Sequence, residues 1–291
     1  MKVKRTGRFK VKASHPDYEM IKVHTIEAKE IYNYANYIIR QIYFKNSKNH
    51  EYSLDFIYEY PELNEDFEIY LKENNQFTST FYRIICNFSR IKKHSLNSKM
   101  VQNIVDVLKR DWKSYWKLLK LKKEGKYEKP VNIPRYKKKY SVVEYNPQVI
   151  SRTKLKNGYI GTALMEEGFA IPNFYREYSC KSARALWKNN EMYMEIIYEK
   201  EVPETKSNKK VASIDLGGKI LMAIAYNFNR RGICISANML RSLNHYYNKM
   251  IGIMTSLLPK GIKISKAIQN LWRKRDEQIR NLLGFYANRL I

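Results

Sequence analysis

Cysteine is nearly absent from this 291-residue sequence, with Cys86, Cys180 and Cys234 as the whole complement. Three thiols cannot close a set of disulfides, and none stands at zinc-ligand spacing from another, so neither a disulfide scaffold nor a cysteine zinc site is expected. The five histidines, His15, His24, His50, His94 and His245, are equally scattered. A reduced, cytoplasmic compartment fits this usage. No apolar run reaches the roughly 18 residues of a membrane span, so no membrane partner of that kind is expected. The basic start, Met1-Lys2-Val3-Lys4-Arg5, leads into no apolar signal segment. Gly-rich loops of the Walker type and Gly-x-Ser-x-Gly elbows are also missing.

Acidic residues are the other shortage. Against 28 Asp and Glu stand 54 Lys and Arg, a net charge of +26. Such a field attracts polyanions and makes binding salt-dependent through counterion release. Nucleic acid is the first partner this implies and an acidic membrane surface the second; the plain alternative is a basic soluble protein with no specific anionic ligand. Aromatics are abundant, with 24 Tyr, 11 Phe and 4 Trp. Many adjoin bases, as in Arg135-Tyr136-Lys137 and Lys139-Tyr140, the pairing that base stacking beside phosphate contacts requires. Most of these rings are nonetheless expected to pack. At 44% apolar, the chain can build a core.

Residues 6–23 read as extended, broken at His15-Pro16. Thr25 can cap a helix running to about Phe44, with Ile31, Ala35, Ile38 and Ile42 at helical spacing. Residues 51–75 are an acidic exception, eight Asp and Glu against one Lys, where Pro61 interrupts short helices. A helix is expected over 78–92. The clearest helix runs from Ser98 to Lys123 on a stripe of Val101, Ile104, Leu108, Trp112, Tyr115 and Leu119. Lys109, Arg110, Lys113, Lys117 and Lys120 fall mostly off that stripe. They fit a solvated face, but residues 98–139 continue the charge, with fourteen Lys and Arg against four Asp and Glu. A phosphate-binding patch including Arg135, Lys137, Lys138 and Lys139 is therefore expected.

Beyond Gly125, Pro130, Pro134 and Pro147 exclude long helices, and β-type runs occur at 140–145, 158–164, 168–171 and 191–198. Asn157-Gly158 and Asn189-Asn190 suit turns between strands. This reads as a small antiparallel β-domain that includes residues 6–14, with the helices of 25–123 inserted. A polar linker covers 202–210. From Val211, strands at 211–216, 220–226 and 232–236 precede helices over 239–258 and 263–290, the order in which an RNase H-like domain opens.

Asp215 lies on an otherwise apolar strand, followed by Gly217 and Gly218. A carboxylate there is costly without a cation or hydrogen-bond donors. It can hold Mg²⁺ through hard oxygen ligands, or it can be a turn Asp accepting backbone N–H bonds. Strand-Asp-x-Gly also occurs in actin-like ATPases. After Asp215 the sequence offers only Asp276 and Glu277, within Arg273-Lys274-Arg275-Asp276-Glu277. Helix-surface ion pairs explain these two better than metal ligation.

Val211-Ala212-Ser213-Ile214-Asp215-Leu216-Gly217 resembles the first RuvC motif of TnpB proteins, relatives of the type V CRISPR effector nucleases. Leu240-Arg241-Ser242-Leu243-Asn244-His245-Tyr246-Tyr247-Asn248-Lys249 is similar to that family's segment leading into its helical insert, and Ile264–Ile268 and Trp272–Arg275 continue it in order. Tyr127–Lys139 resembles the stretch entering the family's wedge domain, and Asn190–Pro203 its last strand.

The resemblance implies an α+β chain: a wedge β-barrel (residues 1–24 and 125–205), an inserted helical recognition lobe (25–124) and an incomplete RNase H-like, RuvC domain (206–291). It implies an RNA-guided DNA endonuclease of a small transposon, with guide RNA and target DNA as partners. Asp215 would be the first Mg²⁺-binding acid, at the end of the sheet's central strand. Arg241, Asn244 and Lys249 would join the nucleic-acid contacts. The family's second acid, zinc ribbon and third acid are expected beyond residue 291. The resemblance therefore also implies a C-terminally truncated, catalytically incomplete nuclease; the alternative is a non-catalytic nucleic-acid-binding remnant or regulator.

Overall fold

The computed structural model describes residues 2–48, 79–91, 94–201, 210–262 and 264–290. The chain divides into two compact units, Lys2–Glu201 and Val202–Ile291. It is a mixed helix and strand protein with antiparallel sheets. The short helices expected within 51–75 lie outside the described residues, as does nearly all of the linker over 202–210.

In the first unit, β1 (Lys2–Lys10) is followed by the helices α1 (Tyr18–Lys48), α2 (Ser79–Ile91) and α3 (Ser98–Lys123). Then come β2 (Val143–Tyr145), α4 (Arg152–Lys156), β3 (Tyr159–Ile160), β4 (Phe169–Ala170), α5 (Asn173–Arg176), β5 (Ser179–Lys188) and β6 (Glu191–Glu201). The helix α3 has the bounds that its stripe predicts. Asn97 caps it, accepting the N–H of Met100 at 2.9 Å, and Met100, Val101, Ile104, Val105, Leu108, Trp112 and Tyr115 are buried along one face. α1 packs on α3 and buries Ile21, Ala28, Ile31, Tyr32, Ala35, Ile38 and Ile39 in the shared core. Between them, the Trp112 indole donates to Asn36 Oδ1 at 3.0 Å, so a fully buried N–H is satisfied.

The expected start of α1 at Thr25 is corrected to Tyr18. Asp17 stands just before the helix, and its carbonyl accepts the N–H of Ile21. Its carboxylate, which a sequence reader would assign to capping, reaches instead to the far loop, accepting the backbone N–H groups of Glu166, Glu167 and Gly168 at 2.7, 3.2 and 2.7 Å. Thr25 lies inside α1, donating to Lys22 O and accepting the Trp187 indole.

The four-stranded sheet runs in the order β1-β6-β5-β2. β5 and β6 form a hairpin across Asn189 and Asn190, both at positive φ (50° and 64°), the primed turn geometry that asparagine tolerates. Asn157-Gly158 does not make a strand-to-strand turn: it ends α4, and Gly158 at φ 81° leads into β3. The expected barrel is not seen among the described residues. β1 and β2 are the free edges of an open sheet, β3 and β4 form a separate two-stranded ribbon, and no described strand closes the ring.

Buried Glu195 lies opposite both Arg8 of β1 and Arg184 of β5 and accepts hydrogen bonds from each. Burial alone would raise its carboxyl, but the two guanidiniums hold it below the usual carboxylate range.

His24 is buried beside Tyr145, with Nδ1 at 3.3 Å from the phenol oxygen. Burial lowers its pKa from the ordinary 6.5, against a weaker upward pull from Glu27. The unfolded chain therefore takes up this proton first, and the unit is expected to lose stability as pH falls below about 6.5 until the folded imidazole also titrates. Urea unfolding followed by tryptophan fluorescence checks this, since three of the four tryptophans lie in this unit. His24→Gln should flatten the loss between pH 7 and 5.5; an unchanged slope would remove His24 as its cause.

The second unit begins with a meander, β7 (Ala212–Leu216), β8 (Ile220–Tyr226) and β9 (Ile233–Ser236), in that spatial order. The helices α6 (Asn238–Ser256) and α7 (Lys266–Leu290) follow and pack together. Three strands and two helices appear where the apolar pattern predicts them. Among the described residues β8 is the middle strand of the three and β7 an outer one, which corrects the central position expected for Asp215's strand.

Candidate nucleic-acid interface and acidic site

The basic residues nominated from sequence divide into free and engaged groups. On α3, Lys113 and Lys117 are exposed and make no ion pair or hydrogen bond among the described residues. Lys109 lies over the Tyr82 ring at 5.3 Å, facing a cleft of about 490 Å³ between α2 and α3. Lys120 is 4.0 Å from Glu124, a weak surface pair.

Residues 130–140 form an extended strap across α1. Asn33 fixes it from both sides, donating to Lys137 O at 2.9 Å and accepting Lys137 N–H at 2.8 Å. Asn36 and Arg40 both donate to Pro134 O. Val131 and Ile133 pack on the core, leaving Arg135, Tyr136, Lys138 and Lys139 exposed. Lys137 turns inward: its ammonium lies 4.4 Å from the Tyr32 ring centre and 3.7 Å from Asp111. Lys139 donates to Asn190 Oδ1 at 3.1 Å. Arg135 and Lys138 thus remain the strap's free cations among the described residues.

In the second unit, Arg241, Asn244 and Lys249 share one side of α6 and line an open hollow of about 960 Å³ with Asn238, His245 and Asn248 among others. Among the described residues no carboxylate lines it. Asn244 is only partly available, because its oxygen accepts Arg275 Nε of α7 at 2.9 Å.

Asp215 is exposed, opposite Ala223 on β8. Its carboxylate makes no hydrogen bond or ion pair among the described residues, unlike the N–H-satisfied turn Asp that was the other reading. Gly217 follows it closely: an added Cβ would meet Ile220 O at 2.9 Å. Asp276 and Glu277 lie on α7, where Glu277 is 4.0 Å from Arg273 one turn earlier. No group of three His, Cys, Asp or Glu able to hold a metal occurs among the described residues. One carboxylate can share a hydrated Mg²⁺ but cannot build a two-metal centre, so the residues present do not fit that centre.

Of the three free cysteines, Cys234 is exposed. Cys86 is buried, and burial pushes the Cys180 thiol up to about 11, away from its reactive thiolate. Among the described residues no helix is long and apolar enough to cross a membrane.

Residues 195–291 match the family OrfB_IS605, described as a probable transposase. No curated protein matches the chain. Among solved structures, the chain is similar to one from a Cas12f1–sgRNA–target DNA complex, at 11% identity over 97% of this chain and 76% of that one, with a TM-score of 0.43. A chain from a CRISPR–Cas12f ternary complex matches at 14% identity over 94% and 59%, with a TM-score of 0.26. Likeness at this level does not define a shared fold.

Proposed function

We propose that this chain, a relative of the OrfB_IS605 transposases over residues 195–291, is a TnpB-like nucleic-acid-binding protein that holds a guide RNA and its target DNA. The observation that carries the reading is Asp215, a carboxylate standing free on β7 inside the transposase-matched segment. Its position at an exposed sheet edge suits the first acid of a phosphodiester-cleaving site that takes Mg²⁺. Lys113 and Lys117, Arg135 and Lys138, and Arg241 and Lys249 supply exposed phosphate contacts. Phosphate binding does not need the metal, so these 291 residues bind guide and target even where one acid cannot complete hydrolysis.

The test is one preparation of the 291-residue chain with two readouts. In filter binding at several salt concentrations, RNA from the 3′ flank of its own gene is expected to bind more tightly than a scrambled RNA of equal length. With Mg²⁺, that RNA and matching DNA, cleavage is expected to be no faster than in Asp215→Asn. Equal affinity for the two RNAs defeats the guide reading. Cleavage that Asp215→Asn abolishes shows the site complete and defeats the one-acid reading.

A further inference from the structure

The strap holds a ring that the fold does not use. Tyr136 is 42% exposed. The Arg40 guanidinium lies 4.2 Å from its centroid and covers one face. The other face has no ring or cation on it among the described residues. The neighbouring Tyr140 differs, being stacked on Trp187 at 4.1 Å and 9° with its partner already in place. Nor is Tyr136 a loose side chain on a loop. Its strap is pinned on either side, at Pro134 and Lys137, by Asn36, Arg40 and Asn33. Arg40 is held in turn by the hydrogen bond that its Nη2 donates to Pro134 O, while its Nε is buried without a hydrogen-bond partner among the described residues. Ring and guanidinium form a two-layer platform with exposed Arg135 and Lys138 nearby on the strap.

From this geometry we infer that Tyr136, backed by Arg40, is a stacking platform for one unpaired nucleobase of a single strand whose phosphates are held by Arg135 and Lys138. Every base has a π-face, so such a platform takes any base, from RNA or DNA, but requires it to be out of a duplex. A duplex keeps its bases stacked on each other and offers the strap only phosphates. A platform fixed before binding loses little entropy when the base arrives. The inference rests on the nucleic-acid reading above but names a ligand element that reading leaves open.

The full chain is titrated by fluorescence anisotropy with four probes of about twelve nucleotides, within the size range of such sites. They are single-stranded oligo-U RNA, oligo-dT DNA, an abasic strand of equal charge, and an RNA duplex. Tyr136→Ala is expected to weaken the base-bearing single strands roughly 5- to 150-fold, the range that one lost stack implies. It should leave the abasic strand and the duplex within about twofold. Tyr136→Phe keeps the ring and should match the wild type. A loss confined to the RNA or the DNA strand would identify which nucleic acid supplies the base. Matching thermal unfolding of the variants shows that the strap is intact. Equal losses on base-bearing and abasic strands, or none on either, overturn the inference while the nucleic-acid reading stands. Wild-type protein that binds no probe sinks both.

Discussion

Reversing Lys113, Lys117, Arg135 and Lys138 to Glu together is expected to lower affinity for structured RNA by about three decades at 0.1 M salt. Each phosphate contact contributes roughly 0.7 to 0.9 in log affinity per log salt, so four lost contacts flatten the slope by about 3. The gap should close as salt rises toward 1 M, because at that concentration counterion release supplies little. These four are chosen because the fold leaves their charges free. Lys137 is not, since Asp111 and the Tyr32 ring already hold its ammonium. Lys137→Ala should therefore change the slope by less than any of the four. Binding measured from 0.05 to 0.5 M salt decides it: a slope unchanged by the quadruple variant would mean that neither α3 nor the strap touches phosphate.

The largest loss of stability is expected at Asp17. Its buried carboxylate is the acceptor for three backbone N–H groups of the 166–168 turn, one helix start serving a loop about 150 positions later. Asp17→Ala leaves those donors without a partner, and each unsatisfied buried group costs about 1 to 3 kcal/mol. A total of about 3 to 5 kcal/mol is expected after some rescue by entering water. Asp17→Asn keeps one acceptor oxygen and should lose about half as much. Denaturant unfolding gives the magnitude. Hydrogen exchange gives the place: amides 166–168 should lose protection first, while those of the β5–β6 hairpin hold. A change below about 0.5 kcal/mol in Asp17→Ala would show that the turn stands without its anchor.

Asp17 also shows how far the sequence could be read. Helix α3 was legible because its stripe is long, periodic and capped by local atoms, so nothing distant decides it. The start of α1 was not, because the carboxylate beside it bonds to a distant loop instead of its own helix. Strand β5 was missed for a related reason. Ala183 and Ala185 have weak strand preference, and they are small because large neighbours sit opposite them. Ala183 faces Ile196 and Tyr145, and Ala185 faces Met194 and Val143. Only the partner strands reveal why alanine belongs there.

The site divides in the same way. Asp215 stood out because a lone acid on an apolar strand has no local explanation, and its carboxylate is indeed unbonded. The edge position of its strand depended on the meander's spatial order, which the apolar pattern does not encode. The basic tract was countable, but which lysines stay free was not. Lys137 and Lys139 differ from Lys138 only through partners at Asp111, Tyr32 and Asn190, remote in sequence. Arg40 lies almost a hundred residues from Tyr136, and no spacing rule joins them. The pinning of the strap by Asn33 and Asn36 was equally hidden.

The pairing of β1 with β6 joins Lys2 to Glu201 at one end and Lys10 to Tyr193 at the other. On the ribosome, which adds about 5 to 20 residues each second, β1 must wait roughly 10 to 40 s before its partner has been made. During that interval α1 and α3 can already pack, since both precede residue 124. β1 is thus among the last strands of its unit to find its place. A ribosome paused shortly before residue 190 would hold these helices beside a basic strand whose partner has not yet been made, with the sheet's side of their shared core still missing.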